Sequence, residues 1–186
     1  MSGPPPPNPP RTSREPLRLH IGGEEVRAGW KILNIQAKPG VDFVGDCTDL
    51  SRFADNSVEE IYASHVYEHL GYQVELPRAL REAWRVLKPG GILRAGVPDL
   101  QMLCEMFLRP GQSKIERFYV QRMMFGGQID AYDFHKVGLS MDILTQFLKV
   151  AGFRSVRRVE EFNLFKDTSV ATPGYTNMSL NVIAMK

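Results

Sequence analysis

Residues 76–100 read LPRALREAWRVLKPGGILRAGVPDL, a stretch in which a helix pattern, a stop signal and a strand pattern follow one another. Its first half carries apolar residues at helical spacing with charged residues between them, which predicts a helix over about residues 74–87. The lysine, proline and two glycines at 88–91 favour an end to that helix. Residues 92–97 then predict a buried strand that ends at Pro98 and Asp99.

Upstream of this stretch, short apolar segments end in small or polar residues. We expect strands over residues 17–21, 31–36, 41–44 and 60–64. The connection between the first two strands is short, because a parallel crossover with a full helix usually takes at least about 10–12 residues. We therefore expect at most one or two helical turns between them.

Downstream, the pattern predicts helices over residues 100–108, 114–125 and, from an N-cap at Ser140, to residue 150. Residues 154–160 and 180–185 are the last two strand candidates. Strands that alternate with helices predict an α/β protein with a mostly parallel, doubly wound sheet. Ligands of such sheets bind beyond the carboxyl ends of the strands, where the sequence places Gly22, Gly23, Gln36, Asp46, Ser64, His65 and Asp99.

Length and composition favour one folded domain. The 186 residues are enough for a single α/β core, which we place at residues 17–186. Residues 1–16 are proline-rich and lack the apolar centre of a secretory signal, so we expect a disordered tail. Two cysteines without metal-site or redox spacing suit a reducing cytoplasm.

The charge balance bears on the class of partner. A formal net charge of +2 leaves the folded part nearly neutral, whereas a nucleic-acid partner calls for a dense basic face. No apolar run approaches the roughly 20 residues of a membrane span. We therefore expect neither nucleic acid nor membrane as partner, and the oligomeric state stays open.

Four blocks of the chain, taken together, carry a family resemblance. They are LRLHIGGEEVRAGWKILNIQ, VDFVGDCTDLSRFADNSVEEIYASHVYEHL, LPRALREAWRVLKPGGILRAGVPDL and HKVGLSMDILTQFLKVAGF. In this order they resemble the successive blocks of class I S-adenosylmethionine-dependent methyltransferases of the type 11 group. The resemblance spans nearly the whole folded part, and RVLKPGG with its preceding helix and EHL carries most of it.

This resemblance implies a Rossmann-like fold with a seven-stranded, mostly parallel sheet whose last strand is antiparallel. It also implies S-adenosylmethionine as cofactor, lying across the first four strands. The positions implied for cofactor binding are Gly22 and Gly23 at the methionine moiety, Gln36 at the ribose, Asp46 and Cys47 at the adenine, and Ser64 and His65 near the sulfonium. An Asp that ends a strand, as Asp46 does, also commonly caps the next turn.

Three residues depart from the family's usual pattern. His20 stands where an acidic residue is common, Glu24 where a second glycine is common, and Gln36 where an acid usually grips the ribose. Glu24 brings a negative charge toward the place expected for the cofactor's own carboxylate. Charge-assisted hydrogen bonds are roughly twice as strong as neutral ones, so Gln36 predicts weaker ribose binding.

Histidines are the candidate catalytic groups, because an imidazole can take up a proton near neutral pH. His135 lies in the polar, aromatic stretch DAYDFHKVG, which we expect to cover the site, and His65 follows the fourth strand. Either is a candidate general base. His65 and His69 are four residues apart and suit a metal on one helical turn, but the sequence offers no third ligand, so we expect no metal site.

The sequence thus predicts an S-adenosylmethionine-dependent methyltransferase that acts on a small-molecule or sugar-derived acceptor. The alternative is a methyltransferase-like pseudoenzyme that has lost cofactor binding and serves as a binding or assembly module, which the three departures motivate. A different nucleotide-linked enzyme, for example one that handles sugar phosphates, is a third interpretation.

Overall fold

Seven strands and four α-helices follow one another along the chain in the computed structural model, which describes residues 16–169 and 177–186. The strands are β1 (Leu17–Ile21), β2 (Trp30–Asn34), β3 (Phe43–Val44), β4 (Val58–Ser64), β5 (Leu87–Pro98), β6 (Ser155–Val159) and β7 (Ser179–Met185). The helices are α1 (Glu75–Val86), α2 (Leu100–Leu108), α3 (Lys114–Phe125) and α4 (Met141–Ala151), and one turn of 3₁₀ helix spans Tyr67–His69. The proline-rich tail expected at residues 1–16 lies outside the described residues, apart from Pro16.

The strands form one sheet in the order β3-β2-β1-β4-β5-β7-β6. Neighbouring strands from β3 to β5 are parallel, whereas β7 runs antiparallel to both β5 and β6. The α/β fold with a seven-stranded, mostly parallel sheet and an antiparallel last strand is therefore confirmed. The carboxyl ends of β1, β2 and β4 meet at one edge, where the crevice was expected.

Helices α1 and α4 cover one face of the sheet. They pack on each other and bury their apolar stripes, including Leu80 of α1 and Leu148 of α4, against alternate residues of the strands such as Leu19 and Leu93. None of the helices in the described part of the chain is long and apolar enough to cross a membrane. The main hydrophobic core lies between these two helices and the sheet.

The opposite face is covered in a different way. Residues 22–29, 35–42 and 45–57, all described, connect the first four strands without a helix. In place of helices, Phe162 and Phe165 from the segment after β6 pack on Trp30 and Tyr62 and form a second, aromatic core. Periodicity could not predict this cover, because irregular segments have none.

Several predicted boundaries were wrong. β3 begins at Phe43 and not at residue 41, and β4 begins at Val58 and not at residue 60. β2 ends at Asn34 and not at Gln36, because the chain turns there and the backbone N–H of Gln36 donates to the Asn34 side chain at 2.9 Å. Residues 88–91 were predicted to separate α1 from the next strand, but β5 already begins at Leu87 and includes them. They form a bulge against β4, which Gly90 permits with a φ of 78°.

The aromatic cover predicts the effect of Phe165→Ala. Phe165 is buried, and its ring centroid lies 4.8 Å from that of Tyr62 and 5.3 Å from that of Trp30. We expect the substitution to lower the free energy of unfolding by about 3–5 kcal/mol, as for other buried Phe→Ala changes. Urea denaturation measures this loss. The control is Leu108→Ala, at a side chain 74% exposed, and similar losses in both variants would contradict a core role for Phe165.

Candidate functional site

A cleft of about 610 Å³ opens at the carboxyl edge of β1, β2 and β4. This volume lies within the range of small-molecule sites. Five of the residues predicted to bind the cofactor line it: Gly22, Gln36, Asp46, Cys47 and His65. Gly23 and Ser64, which were also predicted, stand behind the wall and do not line it. The opposite wall comes from residues 129–136.

Gly22 closes the end of β1 in a way that other residues tolerate poorly. Its φ is +74°, in the left-handed region, and its backbone N–H donates to the Leu33 carbonyl at 2.8 Å. A Cβ at this position would lie 2.6 Å from Cγ2 of Val66, which also lines the cleft. Both conformation and space therefore require glycine here, and the backbone is exposed to the cleft as a result.

His20 points away from the cleft, into the aromatic core. Its ring stacks on Phe165 at 3.9 Å between centroids and meets Tyr62 edge-on at 5.0 Å. A Cβ on Gly23 would lie only 2.4 Å from this ring, so Gly23 makes room for His20. At position 20, where the family commonly has an acid, this chain thus has a histidine that packs in the aromatic core. Gly23 contacts this histidine and therefore does not line the cleft.

Asn34 is the residue that the sequence analysis missed at this edge. It is the buried last residue of β2; its Nδ2 donates to the Gly23 carbonyl at 3.2 Å, and its Oδ1 accepts from the Gln36 N–H. Asn34 thereby joins the loop after β1 to the turn after β2. Its position at the end of a strand could have identified it, but the sequence analysis placed the end of β2 two residues later, at Gln36. Gln36 lines the cleft two residues further on.

Asp46 and Cys47 form the part of the cleft that follows β3. Oδ1 of Asp46 accepts from the Thr48 N–H at 2.8 Å, so Asp46 does cap the next turn. This leaves Oδ2 available to the cleft. Burial, reinforced by the neighbouring Asp46 charge, raises the pKa of the Cys47 thiol to about 12. Cys47 therefore stays a neutral thiol near pH 7 and contributes shape rather than nucleophilic chemistry.

Glu24 does not stand alone at the mouth of the cleft. Its Oε1 pairs with Nζ of Lys38, from the loop between β2 and β3, and both residues line the cleft. The ion pair joins the two loops that frame the cleft. It also offsets the negative charge that the sequence placed near the expected carboxylate of the cofactor.

His65 directly follows the last residue of β4. It has a φ of 53°, a left-handed conformation in which histidine is among the less rare residues. Ser179 Oγ donates to the Thr168 carbonyl at 2.7 Å, so it accepts from His65 Nε2–H at 2.9 Å. The other nitrogen, Nδ1, lies 3.0 Å from Oε1 of Glu68. Nε2 of His65 is therefore used in a hydrogen bond, whereas Nδ1 faces the Glu68 carboxylate without one.

The wall formed by residues 129–136 is fastened to the body of the domain. Nζ of Lys136 lies 2.9 Å from Oε2 of Glu75, which also accepts from the Gly71 N–H at 2.6 Å. The backbone N–H groups of Lys136 and Val137 donate to the Glu68 carbonyl at 2.8 and 3.2 Å. The stretch DAYDFHKVG, which the sequence analysis expected to cover the site, thus lines one side of the cleft.

His135 does not line the cleft itself, but its ring contacts that of His69, which does. Its Nδ1 is 3.0 Å from the Met123 carbonyl, and its ring meets that of His69 edge-on at 4.9 Å. His69, which the sequence analysis considered only as half of a metal pair, is the residue that lines the cleft. Burial lowers the pKa of His135 below its usual value, so its ring is neutral at pH 7.

Comparison with known proteins agrees with this geometry. Residues 24–95 match the family described as "Methyltransferase domain". No curated protein matches the chain. The matched region runs from the loop after β1 to the middle of β5 and so contains most of the first cleft wall.

Solved structures show the same fold. A SAM-dependent methyltransferase from Thermotoga maritima, described as a possible histamine N-methyltransferase, superposes with a TM-score of 0.56 at 20% identity, over 93% of this chain and 83% of the other. One from Archaeoglobus fulgidus gives 0.56 at 17% identity, over 92% and 86%. One from Mesorhizobium loti gives 0.55 at 17%, over 92% and 90%. At these identities the likeness is one of fold.

The burial of His20 predicts how stability changes with pH. Burial lowers the pKa of His20 to about 4, whereas a histidine in the unfolded chain protonates near pH 6.5. Between these values the unfolded state binds more protons, so the free energy of unfolding falls as the pH drops from about 6.5 to 4, by up to roughly 3 kcal/mol. Urea denaturation at a series of pH values measures this fall.

The matched variant is His20→Leu, which removes the titrating group and keeps an apolar side chain of similar reach. We expect its free energy of unfolding to depend less steeply on pH across that window than in the unsubstituted chain. Parallel curves for the two proteins would contradict a buried, neutral His20.

Proposed function

We propose that the chain transfers a methyl group from S-adenosylmethionine to a small-molecule or sugar-derived acceptor. Its resemblance to class I S-adenosylmethionine-dependent methyltransferases is confirmed by its family match and its fold. The observation that carries the proposal is the cleft at the carboxyl edge of β1, β2 and β4. Its volume suits a nucleoside-sized ligand, and it lies where sheets of this kind bind their ligands.

The residues of the cleft suit an adenosyl cofactor. Gly22 is exposed and lines the cleft, so the methionine end of a ligand can approach its backbone, although the Gly22 N–H itself already donates to Leu33. Gln36 offers both a donor and an acceptor for ribose hydroxyls. Oδ2 of Asp46 can accept from an exocyclic amine, and Cys47 supplies a small neutral wall beside it. Gly23 and Ser64, the other two residues predicted to bind the cofactor, do not line the cleft.

The bound cofactor would supply an electrophilic methyl group with its own leaving group, so the protein's contribution is mainly placement. His65, whose Nε2–H donates to Ser179, is suited to hold its part of the wall in position. His135 is the better candidate to accept a proton from an acceptor, because its ring is neutral and its Nε2 is not used by the Met123 contact. It would act beside His69, which lines the cleft.

One observation favours the alternative of a module without catalytic activity. The polar residues at the end of β2, Asn34 and Gln36, are neutral amides, and the Asn34 side chain is already used in two hydrogen bonds within the protein. A ribose would therefore be held without a charge-assisted bond. A measurement of cofactor binding separates the two functions.

Asp46→Ala tests the position of the cofactor. Isothermal titration with S-adenosylmethionine and S-adenosylhomocysteine should show binding to the unsubstituted chain and at least about ten-fold weaker binding to the variant, since a bond to a charged group is lost. The control is Asp49→Ala, because Asp49 makes a similar turn contact with Ser51 outside the cleft. No heat for either ligand at millimolar concentration would favour the pseudoenzyme.

Lys38→Ala tests the role of the ion pair. Removal of Lys38 leaves the Glu24 charge unbalanced near the expected carboxylate of the cofactor, so we expect about two- to five-fold weaker binding, the range of a solvent-exposed pair. The double variant Glu24→Ala with Lys38→Ala should recover most of this loss in the same titration. Equal weakening in the single and double variants would show that Lys38 itself, and not the pair, contacts the ligand.

A further inference from the structure

Three side chains from two distant segments meet at the edge of the cleft. Glu68 and His69 belong to the 3₁₀ turn after β4, and His135 belongs to the wall formed by residues 129–136. One carboxylate oxygen and one nitrogen of each ring all lie within 4.8 Å of one another. Glu68 is only 1% exposed. The sequence offered no third metal ligand for the pair His65 and His69. In the fold, His69 instead lies beside Glu68 and His135, which together make three potential ligands.

The protons on the two rings can be assigned from their partners. Nδ1 of His69 lies 3.1 Å from the Phe134 carbonyl, and Nδ1 of His135 lies 3.0 Å from the Met123 carbonyl. A carbonyl only accepts, so each Nδ1 must carry the hydrogen. In the neutral rings, Nε2 is therefore an unprotonated acceptor. A histidine that donates its other ring N–H to a backbone carbonyl is the usual arrangement of a metal ligand.

Glu68 adds a third acceptor that has no donor. Among the described residues, neither of its carboxylate oxygens receives a hydrogen bond. Nδ1 of His65 lies 3.0 Å from Oε1, but the contact lacks hydrogen-bond geometry. Lys136, the nearest lysine along the wall, is paired with Glu75. A buried carboxylate without a donor is costly, and a cation between the three acceptors would remove that cost.

The cluster is held together by the backbone. The Glu68 carbonyl accepts from the N–H groups of Lys136 and Val137, and the His135 N–H donates to the Phe125 carbonyl at 3.2 Å. The two segments are therefore joined by bonds that do not involve the three acceptor atoms. Ligand bonds near 2.1 Å would bring those atoms to roughly 3.4 Å from one another, which rotations of the side chains can supply while the backbone stays in place.

We propose that Glu68, His69 and His135 bind one divalent first-row transition-metal ion of the zinc type. Two imidazoles and one carboxylate suit Zn²⁺ and its neighbours, whereas Mg²⁺ and Ca²⁺ prefer oxygen ligands throughout. Because His69 lines the cleft, the ion would lie beside it. The binding of the ion does not depend on the proposed methyl transfer, but an ion on Nε2 of His135 would leave that ring unable to accept a proton. In the metal-bound form the ion, and not His135, would contact an acceptor oxygen, and this role rests on the proposed function.

Direct titration with a metal tests this site. Untagged full-length protein, stripped with a chelator, is titrated with Co²⁺ and Zn²⁺ by calorimetry, and the visible spectrum of the Co²⁺ form is recorded. We expect one ion per chain and a melting temperature that rises with Zn²⁺. His69→Ala, His135→Ala and Glu68→Gln should each weaken binding at least about 100-fold, since loss of even an outer partner costs 10–100-fold. Mg²⁺ at the same concentration should give neither effect.

The control is Cys104→Ser, which removes the exposed thiol that most readily binds zinc by accident. It should leave the stoichiometry and affinity unchanged. His69→Ala is the decisive variant, because it removes a side chain from the cleft wall and leaves the backbone links in place. Full affinity in a folded His69→Ala protein, absence of binding to the unsubstituted chain, or a thiolate-to-cobalt charge-transfer band would overturn the proposal. None of these outcomes depends on cofactor binding.

Discussion

The backbone carbonyl of Glu68 accepts hydrogen bonds from the N–H groups of Lys136 and Val137, at 2.8 and 3.2 Å. This link joins the turn after β4 to a segment that reaches it from beyond α3. It places residues 129–136 opposite the strand ends and so gives the cleft its second wall. It also brings His135 beside His69 and orients the Phe134 carbonyl toward the His69 ring. Without it the strand ends would form an open edge.

The departures in the first loop are parts of one rearrangement of the fold. The connection from β1 to β2 holds no helix, so that face of the sheet needs another cover, and Phe162 and Phe165 supply it. An acid at position 20 would then be buried against aromatic rings without a partner, which is costly. A neutral histidine stacks there instead, and its ring leaves room only for glycine at position 23. Glu24 faces the other way and pairs with Lys38.

Much of the fold could be predicted from local patterns. β1, α2 and α3 have the predicted bounds, and α1 lies within one residue of them, because apolar spacing and capping residues act over a few neighbours. Strand ends were harder, and the end of β2 depended on how the Asn34 side chain folds back on the next turn. The aromatic cover could not be predicted, because it depends on contacts between residues that are far apart in sequence, such as Tyr62 and Phe165.

The residues of the cleft, like the elements of the fold, divide into those that local patterns predict and those that depend on long-range contacts. Four of the five predicted cleft residues follow from the rule that ligands bind at the carboxyl ends of parallel strands, and Cys47 follows from the family resemblance. His69 and the Phe134 carbonyl, however, are 65 residues apart in sequence. The long-range contacts between these two segments also bring Glu68 close to His69 and His135. Its buried carboxylate needs positive charge nearby, and His65 can supply it only as a cation, because its Nε2–H is already directed at Ser179. If both proposals hold, a sulfonium beside His65 and a metal ion beside His69 would each place positive charge near this carboxylate.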